Sequence, residues 1–127
     1  MCKASLPDIF SSEMLSAISK IESNCGDKRY LVGDDGKSIG KFQTKISTAR
    51  YLGFSVNKKD LLNEFISESV ARSYLLYLTR LYGDNAAKIL YAYNSGPGSA
   101  ERYKGSFNNS IYVKKIKKAL LNNCKTI

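Results

Sequence analysis

The sequence predicts a mainly α, single-domain protein carrying one turn-rich or small β insertion. Three observations point there. Apolar residues recur three or four apart in several stretches, as on one face of a helix. Capping residues and glycines bracket those stretches. A cluster of turn residues, Gly33-Asp34-Asp35-Gly36, interrupts them once. At 127 residues, 43% hydrophobic and 24% charged, the chain has globular composition and room for one real core. The expected domain is residues 1–127, with its core over about 12–120.

The elements follow in order. Ser11 or Ser12 caps a first helix with Glu13 in its favourable first turn. Met14, Ile18 and Ile21 share one face, and the helix ends near Asn24 or Cys25, with Gly26 as its stop. Residues 26–38 read as turns or a short hairpin. Ile46 to Leu52 is a short helix closed by Gly53. Leu61 to Tyr82 is the longest periodic segment, with Leu62, Phe65, Val70, Tyr74, Leu78 and Leu81 near helical spacing. Its opening residues form a separate turn, and Gly83 ends it. Asp84 or Asn85 caps a helix through Ala86, Ile89, Leu90 and Tyr93, which Ser95-Gly96-Pro97-Gly98 breaks. A last helix runs from about Ile111 to Leu121, with Ile111, Val113, Ile116, Ala119 and Leu120 on or near its apolar side.

Composition narrows the chemistry. The net charge of +9, from 20 Lys and Arg against 11 Asp and Glu, favours a polyanionic partner such as nucleic acid, an anionic membrane or an acidic wall polymer. No nucleic-acid module accompanies it, and the run Lys114-Lys115-Ile116-Lys117-Lys118 reads as a solvated helix face. Histidine is absent, which removes Ser-His and Cys-His nucleophile pairs and the commonest zinc ligand. Cysteines at 2, 25 and 124 lack metal-ligand spacing, so no metal or organic cofactor is expected. Cys2 and Cys124 lie near opposite termini, which are often close in space, so they are paired here, with Cys25 a buried thiol. Cys25 as the partner of either stays open. No apolar run reaches the roughly 20 residues that span a bilayer. Met1-Cys2-Lys3 opens without an apolar signal core, which fits a cytosolic chain, another export route, or a mature form.

Glu22 is the candidate acid. It falls four residues after Ile18, at the margin of the apolar stripe, where a carboxyl loses hydration and its pKa rises. Downstream come Ser38-x-Gly40-x-x-Gln43 and Ala92-Tyr93-Asn94-x-Gly96-Pro97-Gly98. Glu22-Ser23 and these two motifs, in this order, resemble the soluble lytic transglycosylase family and the related goose-type lysozymes, over roughly residues 12–120.

The resemblance implies a lysozyme-like α+β fold that cleaves the MurNAc–GlcNAc β-1,4 bond of peptidoglycan. It implies Glu22 as catalytic acid and then base, with no second carboxylate and a 1,6-anhydro product. Ser38, Gly40, Gln43, Tyr93, Asn94 and Tyr112 are the implied substrate-groove residues. Tyr93 is the tyrosine expected to touch the Glu22 carboxylate, and Tyr112 is the weaker match for a second one. The implied partner is the peptidoglycan glycan strand, met by a monomer in the periplasm or after secretion, with no nucleic acid. Lys41 replaces an apolar family residue and is expected beside the groove. Glu64 and Glu68 flank the place of a family acid and read equally as ion-pair partners. Asp34 or Asp35 resembles the goose-type aspartate that positions a hydrolytic water, although the turn reading is favoured. Lys45 stands where those enzymes carry a further aspartate. A hydrolysing lysozyme is therefore the same-fold alternative, and a non-catalytic basic wall-binding module the remote one.

Overall fold

The computed structural model describes residues 6–28, 30, 32–33 and 36–124. Helix α1, Ser12–Ser23, begins where the Ser11 side chain accepts a hydrogen bond from the Met14 N–H. It buries Met14, Leu15, Ala17 and Ile18. It ends three residues before Gly26, because Asn24 and Cys25 both adopt left-handed backbone, φ 52° and 64°. Asparagine tolerates that region better than most residues, so the stop falls on it rather than on the glycine.

Three two-residue strands follow: β1 Val32–Gly33, β2 Ser38–Ile39 and β3 Thr44–Lys45. They form an antiparallel meander in that order, with Val32 opposite Ile39 and Ile39 opposite Thr44. The expected hairpin is thus extended by a third strand. Asp34 and Asp35 lie outside the described residues, as does Cys2.

Helix α2 is Ile46–Tyr51 and α3 is Lys58–Leu61, the latter opened by a reciprocal Asn57–Asp60 capping box. The longest helix, α4, Glu64–Tyr82, starts where Asn63 Oδ1 accepts from the N–H groups of Phe65 and Ile66. Its buried side is Ser67, Val70, Ala71, Leu75 and Leu78. Phe65 and Leu81 fall outside this stripe and are 77% and 49% exposed, contrary to the periodicity reading. Helix α5, Ala86–Ser95, is capped by Asn85. Pro97 does not merely break the chain: it opens helix α6, Pro97–Arg102, where its missing N–H costs no bond. A 3-10 turn at Phe107–Asn109 leads to α7, Ile111–Leu121. The buried side of α7 is Tyr112, Val113, Ile116 and Ala119, while Ile111 points to solvent and Lys114, Lys115 and Lys118 are exposed.

Two apolar clusters result. The larger joins α1, α4, α5, α6 and α7 through residues such as Ile18, Phe42, Leu75, Leu90 and Ile116. The smaller, Ile39, Ala49, Leu61 and Val70, packs the sheet and α2–α3 onto α4. Helix α4 belongs to both and ties them together. Among the described residues no helix is long and apolar enough to cross a membrane.

The end of α7 is bound to α1 in three ways. Lys20 Nζ donates to the Asn122 carbonyl, and Asn123 Nδ2 donates to the Glu13 carbonyl at 2.9 Å. Cys124 is disulfide-bonded to Cys25, not to Cys2, with Cα atoms 5.6 Å apart. The pairing follows from α7 lying along α1, which brings position 124 beside the residue just past the α1 cap. The bridge closes a loop of 99 residues, so replacing Cys25 and Cys124 together by serine is expected to reduce stability by about 2–5 kcal/mol. Urea unfolding of the double variant measures this, and an unchanged midpoint would contradict it.

Candidate active site

The site is built around the Gly40–Gln43 segment between β2 and β3. Gly40 is buried with φ 83°, a conformation glycine adopts without a Cβ clash, and its carbonyl accepts from both the N–H and Nε2 of Gln43. Gln43 itself is left-handed, φ 49°, an uncommon state for a residue with a side chain. The Lys41 carbonyl accepts from Ser23 Oγ at 2.6 Å. The Phe42 N–H donates to Ser67 Oγ, and the Phe42 carbonyl accepts from Tyr93 Oη at 2.8 Å. Helices α1, α4 and α5 therefore each hold one part of this segment. Gly33 lies opposite it: a Cβ there would sit 2.7 Å from Gln43 Oε1, so a larger residue would make the Gln43 side chain shift.

A cleft of about 590 Å³ opens over the segment, walled by Ser38, Gln43, Thr44, Lys45, Tyr74 and Asn94 among others, with Glu22 and Tyr93 in its lining. A second hollow of about 560 Å³, lined by Tyr91, Tyr103, Tyr112 and Lys115, meets the first at Glu22 and Asn94. Glu22 thus stands between two concave surfaces of the size that suits ligands. Among the described residues it is the single carboxylate lining either one. No group of metal-ligating side chains occurs among the described residues.

Of the residues singled out in the sequence, Glu22, Ser38, Gln43, Tyr93 and Asn94 line the first cleft, and Tyr112 lines the second. Gly40 does not: it lies beneath the cleft and shapes the turn. The two tyrosines exchange expected parts. Tyr112 Oη donates to Glu22 Oε2 at 2.9 Å, whereas Tyr93 is turned to the Phe42 carbonyl. The reason is position, since α7 packs along α1 and carries Tyr112 onto the carboxylate. Lys41 also departs from expectation. Its stem packs on Gly26 and its ammonium lies 5.7 Å from the Phe42 ring centre, beside a small hollow between α1 and α4 and away from the cleft. Glu68 forms a half-exposed ion pair with Arg72, and Glu64 occupies the first turn of α4; neither lines the cleft.

Thr44 and Ser67 escaped the sequence reading. Both are buried hydroxyl residues, and no short-range pattern marks them. Thr44 lines the cleft, and its Oγ1 is the one buried side-chain polar atom without a hydrogen bond among the described residues.

Burial raises the Glu22 pKa from 4.5 to about 7, against smaller opposing effects of the Tyr112 hydrogen bond and the Lys115 charge. Burial likewise holds the Tyr112 and Tyr93 phenols well above their ordinary value, with the Glu22 charge adding to the effect, so both remain donors. Because the folded pKa of Glu22 exceeds the unfolded one, the stability gained by a neutral Glu22 is full below pH 4.5 and lost as pH rises to about 7. Glu22→Gln is therefore expected to match the parent at pH 4 and to exceed it at pH 8 by on the order of 3 kcal/mol. Chemical unfolding at the two pH values measures the difference, and a variant less stable at pH 8 would refute the burial argument.

The family model described as the transglycosylase SLT domain matches residues 3–116. No curated protein and no solved structure gives a match. The helical body with a small three-stranded antiparallel sheet agrees with the lysozyme-like fold of that family.

Proposed function

This chain belongs to the transglycosylase SLT domain family, whose role is cleavage of peptidoglycan outside the cytoplasm, and we propose that it is a lytic transglycosylase in which Glu22 acts first as acid and then as base. The observation that carries this reading is the largely buried Glu22 carboxyl, the one carboxylate among the described residues to line either hollow, held by Tyr112 where the two meet.

A pKa pushed up to about 7 leaves a substantial share of Glu22 protonated at neutral pH, as a proton donor requires, and lets its carboxylate accept a proton in turn. In the proposed reaction Glu22 gives its proton to the bridging oxygen as the bond from MurNAc C1 to that oxygen breaks. The N-acetyl carbonyl of the same MurNAc bonds to C1 and bears the developing positive charge. The C6 hydroxyl then displaces it, its oxygen bonding C1 and its proton passing to the Glu22 carboxylate. A 1,6-anhydro ring results, and Glu22 returns to its starting state without water or a second carboxylate. Tyr112 orients the carboxyl and steadies the carboxylate between the two steps. Its opposing effect on the pKa is smaller than that of burial, so it does not prevent protonation.

Ser38, Gln43 and Asn94 offer polar groups along the sugar path, and Tyr93 keeps the Gly40–Gln43 floor in place. The Thr44 hydroxyl, buried and unbonded among the described residues, lies under the cleft wall and out of reach of a sugar. The general +9 balance favours residence on an acidic wall polymer. A hydrolysing enzyme would need a residue to position water; the aspartates first considered for that, Asp34 and Asp35, lie outside the described residues. Lys45, at the remaining goose-type position, cannot act as a carboxylate base.

The decisive experiment digests isolated sacculi and identifies the released ends by mass spectrometry. The parent is expected to yield 1,6-anhydro ends, and Glu22→Gln to lose about 10²- to 10⁴-fold in rate while still binding sacculi. Reducing ends would assign a hydrolase instead, and an active Glu22→Gln would remove the acid from the mechanism. Thr44→Val keeps the side-chain shape and deletes the hydroxyl. It is expected to melt no lower than the parent, with KM unchanged, since the hydroxyl is buried and no internal bond is lost. A lowered melting temperature would show that the hydroxyl makes a stabilising bond.

A further inference from the structure

Four tyrosines form a connected series leading out of the cleft. Tyr93 lies in the cleft lining with its ring centre 5.5 Å from that of Tyr74, which also lines the cleft. Tyr74 stacks on Tyr77, centres 6.4 Å apart and planes 21° from parallel. Tyr77 meets Tyr51 edge to face at 5.6 Å. Exposure increases along the series: Tyr93 is 8% exposed, Tyr74 and Tyr77 are half-buried, and Tyr51 is 74% exposed. Thr48, on the cleft wall, precedes Tyr51 by three residues in α2, so one helix face carries the wall into the aromatic surface.

We propose that Tyr51 and Tyr77 form a second sugar-binding platform, continuous with the cleft, that holds glycan residues distant from the cleavage point. This rests on the glycan-cleaving reading above. Three features select a saccharide as the occupant. A pyranose ring presents an apolar C–H face that packs on an aromatic face, and its hydroxyl rim pairs with phenol oxygens. The platform adjoins a cleft already assigned to a glycan, so one linear strand can cover both. Finally, the exposed ring is held in place in advance by its edge-to-face contact with Tyr77. An exposed aromatic fixed by ring contact loses little freedom when it meets a ligand.

The platform acts on strand length, because a short oligosaccharide fills the cleft without reaching Tyr51. The test uses Glu22→Gln protein, which does not consume its ligand, titrated calorimetrically with peptide-free peptidoglycan strands fractionated as tetrasaccharide and octasaccharide. The octasaccharide is expected to bind more tightly. Adding Tyr51→Ala should weaken octasaccharide binding roughly tenfold and leave the tetrasaccharide nearly unaffected, with Tyr51→Phe retaining most of the gain. Equal affinities for the two lengths, or equal losses on both, would overturn the platform. Ring resonances of labelled tyrosine give a reading that needs no substitution at Tyr51. Tyr51 and Tyr77 signals should move with the octasaccharide and not with the tetrasaccharide, and stationary signals would again overturn it. If neither length binds, the glycan assignment of the cleft fails, an outcome distinct from binding that ignores length.

Discussion

The hydrogen bonding of Gly40–Gln43 is the constraint on which the rest of the site depends. Two-residue strands have too few ladder bonds to persist alone. Here the turn between two of them is bonded from three sides, by Ser23 of α1, Ser67 of α4 and Tyr93 of α5. Each bond satisfies a backbone group that would otherwise be buried unpaired, at a cost of about 1–3 kcal/mol apiece. Phe42, 2% exposed in the middle of the segment, anchors it in the larger apolar cluster. The left-handed Gln43 persists because these contacts over-determine its backbone. Sheet, cleft floor and the helix that carries Glu22 consequently share one set of bonds.

Glu22 illustrates the tension between a stable fold and a working one. An ionised carboxylate at this place is disfavoured by burial, and the fold opposes that only in part, through one phenol and one ammonium from α7. The same incomplete compensation leaves the group partly protonated near neutrality. Had α7 supplied a close ion pair, the acid would have been held in its charged form and unable to donate. The attachment of α7 to α1, by the Cys25–Cys124 bridge and the Lys20 and Asn123 bonds, is thus also what sets the acid's surroundings.

The fold and the acid were largely legible beforehand, and the reasons differ. Helix starts at Ser11, Asn85 and the 111–121 helix depend on neighbours in the chain, so capping chemistry and periodicity reveal them. Glu22 was legible from its place on the apolar margin and from the motif beside it. Less legible were short pieces whose stability is not local. Helix α6 was read as a break because Pro97 both stops one helix and starts another. Phe65, Leu81 and Ile111 were read as inward because helical spacing near an end matches more than one face.

By itself, then, the amino-acid order determined the mainly helical body, the insertion, the absence of histidine and with it of Ser-His and Cys-His pairs, and the place of Glu22 as the proposed acid. Those properties reside in residue type and near-neighbour spacing. Only the tertiary structure decided that Tyr112 rather than Tyr93 reaches Glu22, that Cys25 rather than Cys2 joins Cys124, and that Lys41 turns away from the cleft. It alone showed a buried Thr44 hydroxyl and a tyrosine series leading outward. Each of these unites positions far apart in the chain, 90 residues for Tyr112 and Glu22 and 99 for the two cysteines. Such pairings are set by how α7 and α4 pack against their neighbours, and that packing is a sum over the whole core which no local pattern encodes.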